Sequence, residues 1–419
     1  MNWLQNACLI IFLAHLVGAI QLPRELSAQE NYSKGGDTQR NAEANPGAED
    51  YNLLNRAEPK RSGLDDLGQV QSLNSSAKAF QDKGHFSQAE PVFLEALSIC
   101  ERYEGPDQPL ILVSTLNNLA RLYYDQGRYG EMEPSLQRAL AIGQEALGPE
   151  HTEIAVSLEH LGLLHIALGH YSKAEPLFQR SLRIREKAHG ANHPDVATSL
   201  SLLSNVKFQQ RRYAEAETLQ RRALSIRIVT IGPLHRDLAY SMNWLAQISQ
   251  LQGRWTEAET WYREAILVLE RTVGTEHPEM GIVMVNLAGL CQSLHRTEES
   301  QELYERALTI IEKSVGTDHP MTGACLVELA QLYCKQHRYT EAEPFFRRAL
   351  DIQEKTLPPD HPDLGNTLNH FASLLRKTKR KAEANALEAR AKIILAQNLE
   401  AKAANQTIDV RALGLKHEH

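Results

Sequence analysis

The stretch GTEHPEM at residues 274–280 returns as GTDHPMT at 316–322. Gly274 and Gly316 stand 42 residues apart, and so do His277 and His319. Working outward, Gly148, Gly190 and Gly232 continue the glycines at the same step, and His151, His193, His235 and His361 continue the histidines. Leu119, Leu161, Leu203, Leu245, Leu287 and Leu329 keep the interval and end in Phe371. Each is followed by a small residue: Ala120, Gly162, Ser204, Ala246, Ala288, Ala330 and Ala372. One inserted residue brings Ala77, Gly84, Ala89 and the joint GPDQP (105–109) into register, which makes eight units. A fixed period of this size specifies a solenoid, whose units bury their apolar faces against one another, and not a row of independent domains.

Each unit reads as two helices. In the third, Leu158, Leu161, Gly162 and His165 line one face. LGHY turns the chain, and Ala174, Phe178, Ser181, Leu182 and Ile184 line the second. Spacings of three, four and seven are those of amphipathic helices. Gly84, Gly127, Gly169 and Gly253 occupy the turn, where a left-handed residue ends a helix. The fold class is therefore all-α, a solenoid of about eight antiparallel helix pairs.

The pattern Leu-Gly/Ala-x-x-Tyr, then Ala-x-x-x-Phe, then Ala resembles the tetratricopeptide repeat. LNNLARLYYDQGRYGEMEPSLQRALAIGQEALGPEH (116–151) is similar to the 42-residue version found in kinesin light chains and bacterial relatives. The resemblance covers residues 70–405 and not the flanks, and it implies that the solenoid is right-handed and superhelical. No heptad coiled coil precedes the repeats, so a motor role is not carried over.

The opening motif is then a joint. Glycine ends the second helix, and proline starts the next where its missing N–H costs nothing. The acid that follows (Asp195, Glu279, Asp363) favours the positive helix end. Histidine stands at the cap position, where a ring nitrogen accepts an unpaired amide. Stacking spaces these histidines about one repeat apart, roughly 8–10 Å, too far for one metal ion. No metal site and no cofactor are expected.

The 419-residue chain is 42% apolar and 6% aromatic, with a net charge of −7 and interspersed signs. No basic face points to nucleic acid. Ala7–Ile20 is an apolar block too short to span a bilayer comfortably. It suits a secretory signal, with Val17 and Ala19 at the cleavage positions, although Met1–Ala7 carries no Lys or Arg. Export to a periplasmic or secreted location is expected, with an N-terminal anchor if the segment stays uncleaved. Residues 21–69, rich in Asn, Gly, Ser, Glu and Lys, read as a disordered linker, and 406–419 as a tail. Sequons stand at Asn31, Asn74 and Asn405. Cys100, Cys291, Cys325 and Cys334 form no Cys-x-x-Cys pair and read as buried apolar side chains.

No phosphate loop, His-Glu-x-x-His or nucleophile elbow is present, so an enzyme is not expected. Tetratricopeptide grooves bind peptides of partner proteins, and the resemblance implies the same here, with the first helix of each unit lining the concave face. The 3.6-residue period turns Asn74, Lys78, Asn117, Arg121, Tyr124, Asn205, Phe208, Asn243, Gln247, Gln250, Gln292, Gln331 and Asn369 away from the partner helix. Glu159, Leu163, Ile166, Ile282, Val285 and Val327 fall on the same side. Amides that both donate and accept, among apolar neighbours, suit an extended peptide. Lys78 and Arg121 suit an acidic residue or a C-terminal carboxylate. The chain reads as a protein-binding scaffold, with self-association of an exported structural element as the alternative. The eighth unit, with Lys379 and Lys381 in its turn and a polar second helix, reads as a solubilising cap.

Overall fold

The computed structural model describes residues 63–82, 85–357, 359 and 361–404, with 63–65, 82 and 398–404 described by backbone alone. The expected export segment, most of the expected linker, Gly84 and the tail 406–419 lie outside the described residues. Sixteen helices, and no strand, occupy the described residues. Units one and two are α1 (Gly63–Asp82) with α2 (Phe86–Arg102) and α3 (Gln108–Asp125) with α4 (Tyr129–Ala146). Units three and four are α5 (Thr152–Ala167) with α6 (Tyr171–His189) and α7 (Pro194–Gln209) with α8 (Tyr213–Ile231). Units five and six are α9 (Arg236–Leu251) with α10 (Trp255–Thr272) and α11 (Pro278–Ser293) with α12 (Thr297–Val315). Units seven and eight are α13 (Pro320–Lys335) with α14 (Tyr339–Thr356) and α15 (Pro362–Lys377) with α16 (Lys381–Ala404). Helix α1 begins at Gly63, inside the stretch expected to be linker.

Every helix packs on the one before and the one after it, which is the contact order of a solenoid. Within a unit, a large side chain of the second helix enters a notch on the first. Phe93, Phe178, Tyr262, Tyr304 and Phe346 are all buried at equivalent positions. Gly162 provides one notch: a Cβ there would stand 2.6 Å from the Phe178 ring. Unit four departs from this rule, placing Gln220 at the same buried position with neither amide atom hydrogen-bonded.

The turn within each unit puts one residue in the left-handed region. Glycine takes it at Gly127, Gly169 and Gly253, while Arg211, His295, His337 and Lys379 take it elsewhere, at φ of 59° to 66°. Side chains there cost of order 1–2 kcal/mol, so four units carry local strain in place of glycine.

The joints behave as their composition dictates. The ring Nδ1 of His151, His193, His235, His277, His319 and His361 accepts the backbone N–H two residues on, at 3.1–3.3 Å. Each histidine is therefore an N-cap, with extended backbone and an Nδ1 lone pair kept unprotonated.

Between units, a turn arginine links successive second helices. Arg254 pairs with Glu257 of its own helix and Glu217 of the preceding one, both at 2.6 Å. Arg128 (Glu131, Glu90), Arg296 (Glu299, Glu259) and Arg380 (Glu383, Glu343) repeat the arrangement. Each half-exposed pair is weak alone, but the recurrence fixes the stacking register.

Candidate functional site

The expected groove residues fall into two sets that the helical period alone does not separate. The first set is Asn74, Asn117, Glu159, Ser201, Asn243, Val285, Val327 and Asn369, one per unit. Asn74 Nδ2 donates to Thr115 at 3.1 Å, Asn117 Oδ1 accepts from Ser157 at 2.8 Å, and Asn243 Oδ1 accepts from Asn286 at 2.9 Å. Each bond runs from one first helix to the next. Asn117 and Asn243 are thus lateral struts and not groove residues, because this flank faces the neighbouring helix. Glu159, also expected on the groove, is buried between α5, α6 and α7.

The second set faces inward. In the middle units it is filled by its own bulk. Phe208 packs edge-on against Trp244 with ring centroids 5.3 Å apart, and Tyr240 lies against the same indole. Around them Leu163, Ile166, Leu202, Asn205 and Gln247 are buried, and Gln250 accepts from the Tyr262 hydroxyl at 3.1 Å. Towards the front, Arg121 is spent on Asp125 at 3.3 Å, and Gln81 donates to the same carboxylate. Tyr124 is buried with its hydroxyl unpaired, and burial pushes that phenol up. The expectation of one open polar groove therefore fails at Arg121, Tyr124, Asn205, Phe208, Gln247 and Gln250. Large inward side chains from neighbouring helices meet and exclude solvent there.

Solvent reaches the inner face at its two ends. Lys78 is half-buried in the first unit, as are Ser114 and Asn118 in the second, while Asn74, half-buried on the flank, is a strut like Asn117 and Asn243. At the far end Gln292 and Gln331 are half-buried and Ser373 and Arg376 are exposed, with Asn369 exposed on the flank. Gln292 Oε1 accepts from Lys335 at 2.7 Å while its Nε2 has no hydrogen-bond partner. Asn74 Oδ1 is likewise unpaired. Both atoms are buried, so the unused valence faces protein and not solvent.

Burial perturbs several titratable groups elsewhere. His160, with both ring nitrogens unpaired, is pushed down to about 3, and His165 to about 4. Glu153 and Glu279, two residues past their cap histidines, are pushed up to about 7. Among the described residues, His189, His193 and Asp195 form one group able to hold a metal ion. The four described cysteines are free, Cys100, Cys291 and Cys325 buried and Cys334 half-buried. Sequence reading missed the arginine links, although an arginine recurring at the repeat interval with an acid three residues later was there to be seen.

Sequence profiles of the tetratricopeptide repeat match residues 70–110, 112–187, 173–228, 237–313, 279–355 and 324–392. The chain belongs to the tetratricopeptide repeat family. Its solved structural neighbours include BtubC from P. vanneervenii, 20% identical, covering 58% of this chain and 93% of that one at a TM-score of 0.45. A Podosopora anserina putative kinesin light chain with nearly identical TPR-like repeats is 25% identical, covering 49% and 98% at 0.40. The quorum sensor NprR from B. thuringiensis, in its apo form, is 14% identical and covers 81% and 89% at 0.56, a likeness of fold. Among curated proteins, no sequence matches this tetratricopeptide repeat chain. No described helix is long and apolar enough to cross a membrane.

Proposed function

We propose that this tetratricopeptide repeat protein is a non-enzymatic scaffold that binds segments of partner proteins at the two accessible ends of its inner helical wall. The repeat family is generally a non-enzymatic scaffold, which supports the coarse reading. The observation that carries the finer one is the run of solvent-reached polar side chains on that wall, Lys78, Ser114 and Asn118 at one end and Gln292, Gln331, Ser373 and Arg376 at the other. A backbone amide or carbonyl of an extended peptide pairs with such side chains, and a polar wall does this without selecting one peptide side chain.

Crosslinking of the full chain in its native extract, followed by identification of the attached peptides, tests this. Substitution of Gln292, Gln331 and Ser373 together by alanine is expected to abolish adducts at the far end and leave those at the first unit. Adducts that survive both this variant and Lys78→Ala with Ser114→Ala would reject the inner wall.

A second reading rests on the opposite face. Ile228, Val229 and Leu234, at the end of α8 and the joint after it, are 42%, 78% and 59% exposed. Such a patch favours self-association. Light scattering that gives a monomer at high concentration eliminates it. The export reading of Ala7–Ile20 belongs with this proposal, and mass spectrometry of the mature N-terminus decides it.

A further inference from the structure

One joint differs from its sisters in a way that its capping role does not require. The residue before the joint glycine is Glu104 at the first joint and apolar at Leu147, Ile231, Val273 and Val315, but is a histidine, His189, between units three and four. His189 ends α6 and stacks on the cap residue His193, with ring centroids 4.3 Å apart and planes 23° apart. Asp195 completes the group. Its Oδ2 lies 3.6 Å from His189 Nε2 and 3.6 Å from His193 Nδ1. One ligand atom from each residue falls within 4.8 Å of the others.

We infer that His189, His193 and Asp195 form a binding site for a divalent transition-metal ion, zinc foremost, that clamps the third unit to the fourth. In a tetrahedral shell with bonds of about 2.0–2.1 Å, ligand atoms stand roughly 3.3 Å apart. The 3.6 Å separations close to that by small side-chain rotations. All three side chains are partly exposed, at 32%, 40% and 21%, so they are free to move and water is free to fill the fourth position. Two imidazoles and one carboxylate select zinc, copper or nickel over magnesium or calcium.

The surroundings already orient the carboxylate. Arg185 donates to the Asp195 backbone carbonyl at 3.1 Å and approaches Oδ1 at 3.9 Å, which leaves Oδ2 to the imidazoles. The Arg185 charge is itself neutralised by Glu159 at 2.7 Å, so it does not repel an incoming cation in full. Binding through His193 Nδ1 exchanges its 3.2 Å bond to the Asp195 amide for a metal bond, a favourable trade because a cap contributes only about 1 kcal/mol. The joint so locked precedes the unit with the unpaired Gln220 and the strained Arg211, where a clamp has most to hold.

The test is zinc titration of the full chain, first stripped with a chelator, against a chromophoric zinc indicator, with thermal unfolding read in parallel. The wild type is expected to take up one tight equivalent that raises its melting temperature. His189→Leu installs the side-chain class of the apolar sister joints, so it keeps the fold. It is expected to weaken that equivalent about 100-fold and erase the thermal shift. Asp195→Asn is expected to act in the same direction, and His235→Asn, at another joint, to change nothing. A wild type that binds no zinc at micromolar free metal, or a His189→Leu protein that binds as tightly as wild type, overturns the site.

Discussion

Arg185 donates to Glu159 at 2.7 Å with neither side chain reaching solvent, and Ser181 and Ser199 each donate to the other carboxylate oxygen at 2.6 Å. One unit later Arg227 keeps the arginine, but Ser201 stands where Glu159 stood. Arg227 reaches the hydroxyls of Ser201, at 3.1 Å, and Ser241, lies 5.5 Å from the Tyr240 ring, and leaves one nitrogen unpaired. Burial pushes its guanidinium down from the usual range. The same substitution therefore has opposite contexts in two neighbouring units. Arg185→Met strands a buried carboxylate and is expected to cost about 3–5 kcal/mol. Arg227→Met removes a buried cation that no carboxylate meets and is expected to cost less than about 1 kcal/mol or to stabilise. Chemical denaturation of the two variants compares them, and equal losses would show that the Glu159 pairing is not what distinguishes the units.

Gln220 offers a larger gain. Its neighbours in register are Leu136, Phe178 and Tyr262, and neither of its amide atoms is hydrogen-bonded. Burying an unsatisfied amide costs about 1–3 kcal/mol. Gln220→Leu is expected to recover most of this, seen as a raised melting temperature with unchanged helical circular dichroism. A fall in melting temperature would mean that an ordered water serves the amide.

The fold was legible because its period was: a glycine and a histidine returning at 42 residues fixed the units, the joints and the capping role. What was not legible was direction. The 3.6-residue period says that Asn117 points away from α4, but that half-circle contains both the inner wall and the flank of α5. The bond to Ser157 shows that Asn117 takes the flank. The filling of the inner wall was also hidden, because it depends on how closely successive helices approach. The sequence did carry a trace of it in the series Asn118, His160, Leu202, Trp244, Asn286, where bulk rises in the middle and falls away at the ends.

His160 makes stability depend on acid. The unfolded imidazole takes a proton near 6.5, whereas the buried one resists it down to about 3, chiefly through desolvation and then through the charges of Arg121 and Arg185. Its contribution is thus whole above pH 6.5 and is lost as pH falls from there towards 3. Leu202 fills the equivalent position in the next unit, so His160→Leu is a tolerated shape. The variant's advantage over wild type is expected to be small at pH 7.5 and to grow by about 1–2 kcal/mol at pH 5. A difference that stays constant across this range would place the acid sensitivity on another group.

Glu279 runs the other way. Burial pushes its carboxyl up to about 7, with the Arg236 charge opposing and the Asp237 charge assisting. A carboxyl raised in the folded state contributes stability that is complete below about 4.5 and is lost as pH rises through 7. Glu279→Gln mimics the protonated form and keeps the backbone N–H that His277 caps at 3.3 Å. It is expected to leave stability unchanged at pH 4.5 and to raise it by about 2 kcal/mol at pH 8. His277→Ala, which removes the cap alone, is expected to cost about 1 kcal/mol at pH 8. Unfolding curves of both variants at the two pH values separate the contributions. A Glu279→Gln gain as large at pH 4.5 as at pH 8 would show that packing, and not the proton, sets the carboxylate's cost.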